Sequence, residues 1–332
     1  MNKKVLVFPI VVIVALLIFF LIFYYVNFQN LHREIYSMDT IIEIDIFGAN
    51  REKIADEIEK EINYLASLFD DYNPNSEVSK INANAGVKPV KVSDDTLEII
   101  NKGKEMFEKT NGAFNIMISP VLRIWGFKDE NYRVPTLSEI KQSLTLTDIN
   151  DLVIDSDEVF LKKKGEAIDL GGIAKGYTLD KIKAIIEKNK PIKAIVNMGG
   201  NVYVYSIDPN KIFKVGIKHP RSNGVIAVLE LKSGNFVATS GDYERYFELN
   251  GERYCHIIDP RSGSPAKKLV SATAITKDGY VGDAFSTALF VLGKDDALKL
   301  ASESNIQAVV VDTSLNVFYS ESLSGSIEFE NR

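Results

Sequence analysis

The stretch IDLGGIAKGYTLD, from Ile168 to Asp180, brings a carboxylate (Asp169), two adjacent glycines (Gly171, Gly172), Lys175 and Gly176 together just where a helical pattern begins. Glycines let a backbone approach a ligand closely, the first N–H groups of a helix have no internal partner, and a lysine adds charge. An anion would be well held there. The stretch fits neither G-x-x-x-x-G-K-[ST] nor G-x-G-x-x-G, so the standard nucleotide loops give no support. A purely structural alternative is a left-handed turn into an ordinary helix, with Asp169 as a cap and Lys175 solvated.

A second group lies in GDAFSTALF, where Asp283 and Thr287 are four positions apart and share a helix face, with Ser286 adjacent. One carboxylate, hydroxyls and a backbone carbonyl suit a hard divalent cation such as Mg²⁺, which keeps waters and a substrate phosphate in its other positions. The alternative is an Asp cap with small residues packing the helix on a sheet. His256, one of three histidines, stands in an apolar strand before Asp259–Pro260 and is a candidate for proton transfer, although a lone strand histidine is more often structural. Cys255 has no second cysteine and no spaced histidine set, so it is read as packing.

Elements that could position these groups follow from periodicity. TIIEIDIFG alternates as a strand, and the next segment places Ile54, Ile58, Ile62, Leu65 and Leu68 at helical spacing. SDDTLEIINKGKEMFEKTNG predicts a helix ending at Asn111–Gly112, and Thr136 with Glu139 has the spacing of a capping box. DLVIDSDEVFLKKKGEAIDLG predicts a strand pair, IAKGYTLDKIKAIIEKN a helix, and KAIVNMGGNVYVYS two strands broken at Gly199–Gly200. Strands then predominate until VGDAFSTALFVLG and DDALKLASES return to helical spacing, before AVVVD and NVFYS close the chain. Antiparallel strand runs with separate helices indicate an α+β fold.

The chain divides near residue 30. Val5 to Val26 carries no charge, enough to cross a hydrocarbon layer of roughly 30 Å, and ends in bulky aromatic residues rather than a small-residue cleavage site. It reads as an uncleaved membrane helix, with Lys3 and Lys4 on the cytoplasmic side and residues 31–332 as one extracytoplasmic domain, the alternative being a signal peptide removed after export. A net charge of −6 and a pI near 5.4 exclude a basic nucleic-acid surface, and one cysteine excludes an intramolecular disulfide.

SMDT, FDDYNPNSEVSKIN, GAFNIMISPVLRIWGF, IDLGGIAKGYTLD, NMGGN, SGDYERYF with YCHIIDPRSGSPA, and GDAFSTALFVLG occur in the order seen in the ApbE family, the FAD:protein FMN transferases. The resemblance runs from about Ser37 to Phe318. It implies a T-fold-like α+β domain of mixed and antiparallel sheets that binds FAD and, with Mg²⁺, moves FMN onto a Ser or Thr of an acceptor protein, releasing AMP. Family acceptors are redox and electron-transfer proteins. By position, Met38 and Tyr72 resemble residues that flank FAD, Ala113, Phe114 and Asn115 line it, Asp169 and Lys175 contact it, and the backbone near Ile257 completes the pocket. Gly172 through its carbonyl, Asp283, Ser286 and Thr287 resemble the metal cradle, and His256 matches a histidine near the phosphates. Asp39 stands where the family usually has Gly, and Asn115 where it usually has Asp. The same pocket with water as nucleophile would make an FAD pyrophosphatase, and a non-catalytic, membrane-tethered FAD-binding protein is the remaining rival.

Overall fold

The computed structural model describes residues 11–21, 24 and 29–329. Its frame is an eight-stranded antiparallel sheet, in spatial order Asn30–Ser37, Thr40–Phe47, Lys193–Met198, Asn201–Ser206, Asn235–Gly241, Leu269–Thr276, Gln307–Asp312 and Val317–Tyr319. Alternation sets its faces: in Thr40–Phe47, Ile42, Ile44 and Ile46 are buried while Glu43 and Asp45 turn the other way. On that buried side pack the helices Arg51–Phe69 and Ala174–Asn189, through Ile54, Ile58, Ile62, Leu179, Ile182 and Ile186. A three-stranded sheet of Ile212–Lys218, Val225–Lys232 and Ile327–Phe329 covers the opposite face. Leu269–Thr276 lies between both layers and is buried at every position.

A second core joins Gly279–Leu292 to the helices Glu77–Ala83 and Asp94–Lys109 and to the small sheet of Val90–Lys91, Glu158–Leu161 and Leu152–Asp155. Ser93 caps Asp94–Lys109, and the capping box of Thr136 and Glu139 forms at Leu137–Leu144. The α+β class expected from the sequence is the one observed. The first strand, Asn30–Ser37, has no counterpart among the sequence-based expectations, because its exposed face carries His32 and Glu34 and its inner face is only half-buried.

Residues 11–21 are helical and exposed. No helix among the described residues is long and apolar enough to cross a membrane. The expected span from Val5 to Val26 includes residues 5–10, 22–23 and 25–26, which lie outside the described residues.

Candidate functional site

The helices Ala174–Asn189 and Gly279–Leu292 cross at the wall of a cleft of about 620 Å³. Their backbones touch at Gly176 and Gly279, where a Cβ on either residue would come within 2.2 Å of the other's carbonyl oxygen. This closeness lets each helix hold the other's first turn. Asp283 Oδ2 accepts the Gly176 N–H at 2.9 Å, while Asp180, on the first helix, accepts the N–H groups of Gly279 at 2.7 Å and Tyr280 at 2.9 Å. Each carboxylate thus satisfies donors that a helix start leaves unpaired.

The exchange also frees an acceptor. In a continuous helix the Gly176 N–H would reach the Gly172 carbonyl four residues back. It is turned to Asp283 instead, and no hydrogen bond from a described residue reaches the Gly172 carbonyl. Neither Gly171 nor Gly172 has a positive φ, so the left-handed turn considered from the sequence does not occur. Gly172 is required by proximity: a Cβ there would stand 3.0 Å from the Phe114 ring and 3.4 Å from the Thr287 hydroxyl oxygen. Asp283 and Thr287 both line the cleft, and Asp283 Oδ1 has no hydrogen bond from a described residue. The free carboxylate oxygen, the Thr287 hydroxyl and the Gly172 carbonyl form an all-oxygen set that fits a hard cation retaining water and substrate ligands. Among the described residues, no three His, Cys, Asp or Glu side chains group as a metal cage. Any cation here would depend on substrate oxygens to complete its shell.

Of the residues matched to FAD and metal positions, Ser286 alone does not line the cleft. It is fully buried behind the wall, with its hydroxyl donating to the Asp283 carbonyl and paired with Ser240 Oγ, each at 2.8 Å. It braces the helix turn that carries Asp283.

The cleft lining also contains a cluster that sequence reasoning missed. Lys128 Nζ lies between Asp71, at 2.6 Å, and Asp169, which it contacts directly; its side chain is 11 % exposed. Asp169 Oδ1 also accepts the Gly171 N–H at 2.8 Å, shaping the glycine turn. Burial opposes the charge on Asp169, but the Lys128 ammonium overrides it and lowers the carboxyl to about 2. For Lys128 the two carboxylates likewise outweigh burial, and its pKa is raised. Asp71 is pushed up by burial and by the charge of Asp169. The Tyr72 ring stands 5.1 Å from Lys128 Nζ, and its hydroxyl reaches the Phe127 carbonyl at 3.4 Å. Asp71 of FDDY and Lys128 of WGFKDE lie 57 positions apart, so only the fold pairs them.

His256 is half-buried on the cleft wall just beyond the strand Glu252–Cys255. Its Nδ1 lies 3.1 Å from the Arg245 carbonyl, which can only accept, so Nδ1 carries the proton and Nε2 keeps a lone pair. Burial first, then the charges of Arg245 and Lys175, hold its pKa down to about 3. Cys255 is buried, and burial pushes its thiol up to about 11, in keeping with packing. Lys175, in the first turn of its helix, reaches the Gly171 carbonyl at 3.4 Å.

Met38 and Asp39 form the two-residue turn between Asn30–Ser37 and Thr40–Phe47, with φ of 50° and 57°, and this turn forms part of the cleft rim. Such angles favour glycine, which explains the family's usual residue at position 39. Asn115 is buried, donates from Nδ2 to the Thr147 carbonyl at 2.9 Å and accepts the Met117 N–H at 2.8 Å. A carboxylate could not donate to Thr147, so the amide suits this particular neighbour. Ala113, Phe114 and Ile257 supply apolar wall.

The frame and cleft define an α+β protein with a cleft walled by the glycine turn before Ala174–Asn189 and by Asp283 and Thr287 of Gly279–Leu292. The chain matches the model of the ApbE family over residues 38–310. It is 35% identical over 250 residues to a FAD:protein FMN transferase of Klebsiella pneumoniae, covering 74% of this chain and 78% of the relative. A FAD:protein FMN transferase of Haemophilus influenzae is 30% identical over 288 residues, 83% of each chain. The crystal structure of the ApbE protein of Thermotoga maritima superposes with a TM-score of 0.84 at 34% identity, covering 92% of this chain and 100% of that one. The chain belongs to the ApbE family, and it is an enzyme of that type.

Proposed function

We propose that the chain is a membrane-anchored FAD:protein FMN transferase, which moves FMN from FAD to a Ser or Thr hydroxyl of an extracytoplasmic acceptor protein and releases AMP. The observation that carries this reading is the hydrogen bond from Gly176 N–H to Asp283, which joins the glycine turn and the hydroxyl-bearing helix at one cleft. The two segments act as one grip on a diphosphate.

Lys175, in the first turn of its helix on the cleft wall, faces the diphosphate and opposes its charge. Mg²⁺, held by Asp283, Thr287 and the Gly172 carbonyl, would supply Lewis-acid withdrawal of charge from the bridging phosphates. The acceptor hydroxyl attacks the FMN-side phosphorus, a new P–O bond forms, and the bond to AMP breaks with AMP keeping the bridging oxygen. The hydroxyl proton passes to His256 Nε2. Free of ligand, His256 is a weak base, but the charge of a bound diphosphate favours its protonated form and raises its pKa. The segment from Val5 to Val26 is proposed as the anchor, with the short basic end cytoplasmic.

Incubating the purified protein with FAD, MgCl₂ and a candidate redox acceptor, followed by mass spectrometry, tests the reading. A flavin mononucleotide adduct on an acceptor Ser or Thr is expected, and a chelator present from the start should prevent its formation. Free FMN and AMP with no adduct would replace transfer by hydrolysis.

A further inference from the structure

Among the described residues, four buried side-chain polar atoms have no hydrogen-bond partner: Ser119 Oγ, Glu166 Oε1, Asn201 Nδ2 and Ser271 Oγ. Only Asn201 lines the cleft. It opens the strand Asn201–Ser206, paired with Met198 across the Gly199–Gly200 turn, and is 2 % exposed. Strand alternation puts its side chain on the same face as Tyr203, which stacks on Phe236 beneath the helix layer. Ser240, another residue of that wall, bonds the Thr287 hydroxyl at 3.3 Å. The Asn201 Nδ2 donor has no partner among the described residues.

A donor removed from water and left unpaired destabilises the protein that carries it, and such groups persist where a ligand provides the missing partner. On the same floor as Ser240 and Thr287, the partner with most to gain is an anionic oxygen, because hydrogen bonds to charged acceptors are the stronger ones. We propose that Asn201 is a substrate-contacting residue whose amide donates to a phosphoryl oxygen of the bound dinucleotide's diphosphate. This rests on the transferase reading only in requiring a dinucleotide in the cleft. The amide then distinguishes a diphosphate that reaches the sheet floor from one held at the helix starts alone.

Asn201→Ala and Asn201→Asp in the full chain test it, with unfolding midpoints of the free protein and Kd values for FAD and for ADP, which has the diphosphate but no flavin. For Asn201→Ala, a midpoint no lower than the parent's is expected, with Kd raised about tenfold for both ligands, the loss of one charge-assisted bond. Asn201→Asp, which keeps the shape but sets a carboxylate against the phosphate, should weaken both by more than tenfold. Parent-like Kd values in Asn201→Ala overturn the proposal. Weaker FAD binding with unchanged ADP binding also overturns it, since the amide would then hold the flavin half. A lowered midpoint without a change in Kd marks a structural residue. If the parent protein binds neither ligand, the transferase reading fails and this inference falls with it.

Discussion

Asp283 and Asp180 sit near the same helix crossing and perform the same local task, yet only Asp283 lines the cleft, while Asp180 stands half-buried outside it with both oxygens engaged. Asp180 gives both oxygens to the N–H groups of Gly279 and Tyr280; Asp283 gives one to Gly176 and keeps the other. Asp169 is a third variation, with one oxygen on the Gly171 N–H and the other on Lys128. What a carboxylate can do for a ligand depends on the lone pairs that the fold leaves over. By that measure Asp283 keeps an oxygen for the cation and substrate proposed above, Asp180 serves architecture, and Asp169 shapes the turn.

Exchanging charge for shape at each position tests the contrast. The largest expected effect is at the ion cluster on the cleft wall: Lys128→Met leaves Asp71 and Asp169 facing each other without a cation. Its urea unfolding free energy should fall by about 3 kcal/mol, as for a buried pair that loses one partner. Asp283→Asn keeps an oxygen for the Gly176 N–H but removes the charge, so transfer should fall at least ~100-fold while the unfolding midpoint changes little. A variant that transfers at the parent's rate would erase the distinction from Asp180.

Asp180→Ala reverses the pattern. Two helix-start donors lose their partner, and about 2 kcal/mol of stability should go, while the folded fraction keeps turnover within several-fold of the parent. The same carboxyl has a pH signature, because burial pushes it up to about 6 despite the two N–H donors that oppose the shift. A folded pKa above the unfolded one means that the folded state binds the proton more tightly. The stability from this group is therefore present below about pH 4 and lost as the pH rises through 6. Subtracting the pH profile of Asp180→Asn from that of the parent should isolate this fall, and a flat difference would contradict the assignment. Smallest of all, Asp39→Gly relieves a left-handed residue at the cleft rim and should raise stability by about 0.5 kcal/mol, visible as a small rise in Tm.

Local pattern already carried much of this in the sequence. The isoleucines of Arg51–Phe69, the capping box at Thr136 and the strand pair broken at Gly199–Gly200 follow from periods and turn residues that act over a few positions. The twelve cleft-lining residues named from the family motifs were legible for the same reason, since each motif is a contiguous string. Lys128, Asp71, Asp180 and Asn201 were not singled out. Nothing near WGFKDE signals that its lysine will meet two distant carboxylates, and nothing in YTLD signals that Asp180 will cap a helix 99 positions further on. Ser286 shows the converse: its motif put it with the metal cradle, but the turn of the helix points its hydroxyl inward to Ser240.

The sequence by itself determined the α+β elements, the glycines that permit close approach, the acidic, disulfide-free character of the chain and the family signature. Tertiary structure alone decided that Gly176 and Gly279 touch, which oxygen of each aspartate remains available, that Asn115 serves Thr147, and that the Asn201 amide nitrogen has no partner among the described residues. The division has one physical cause. Turn and helix preferences are local free energies written in neighbouring residues, whereas a carboxylate's spare lone pair or an amide's missing partner is fixed only when segments far apart in the chain displace water from one another.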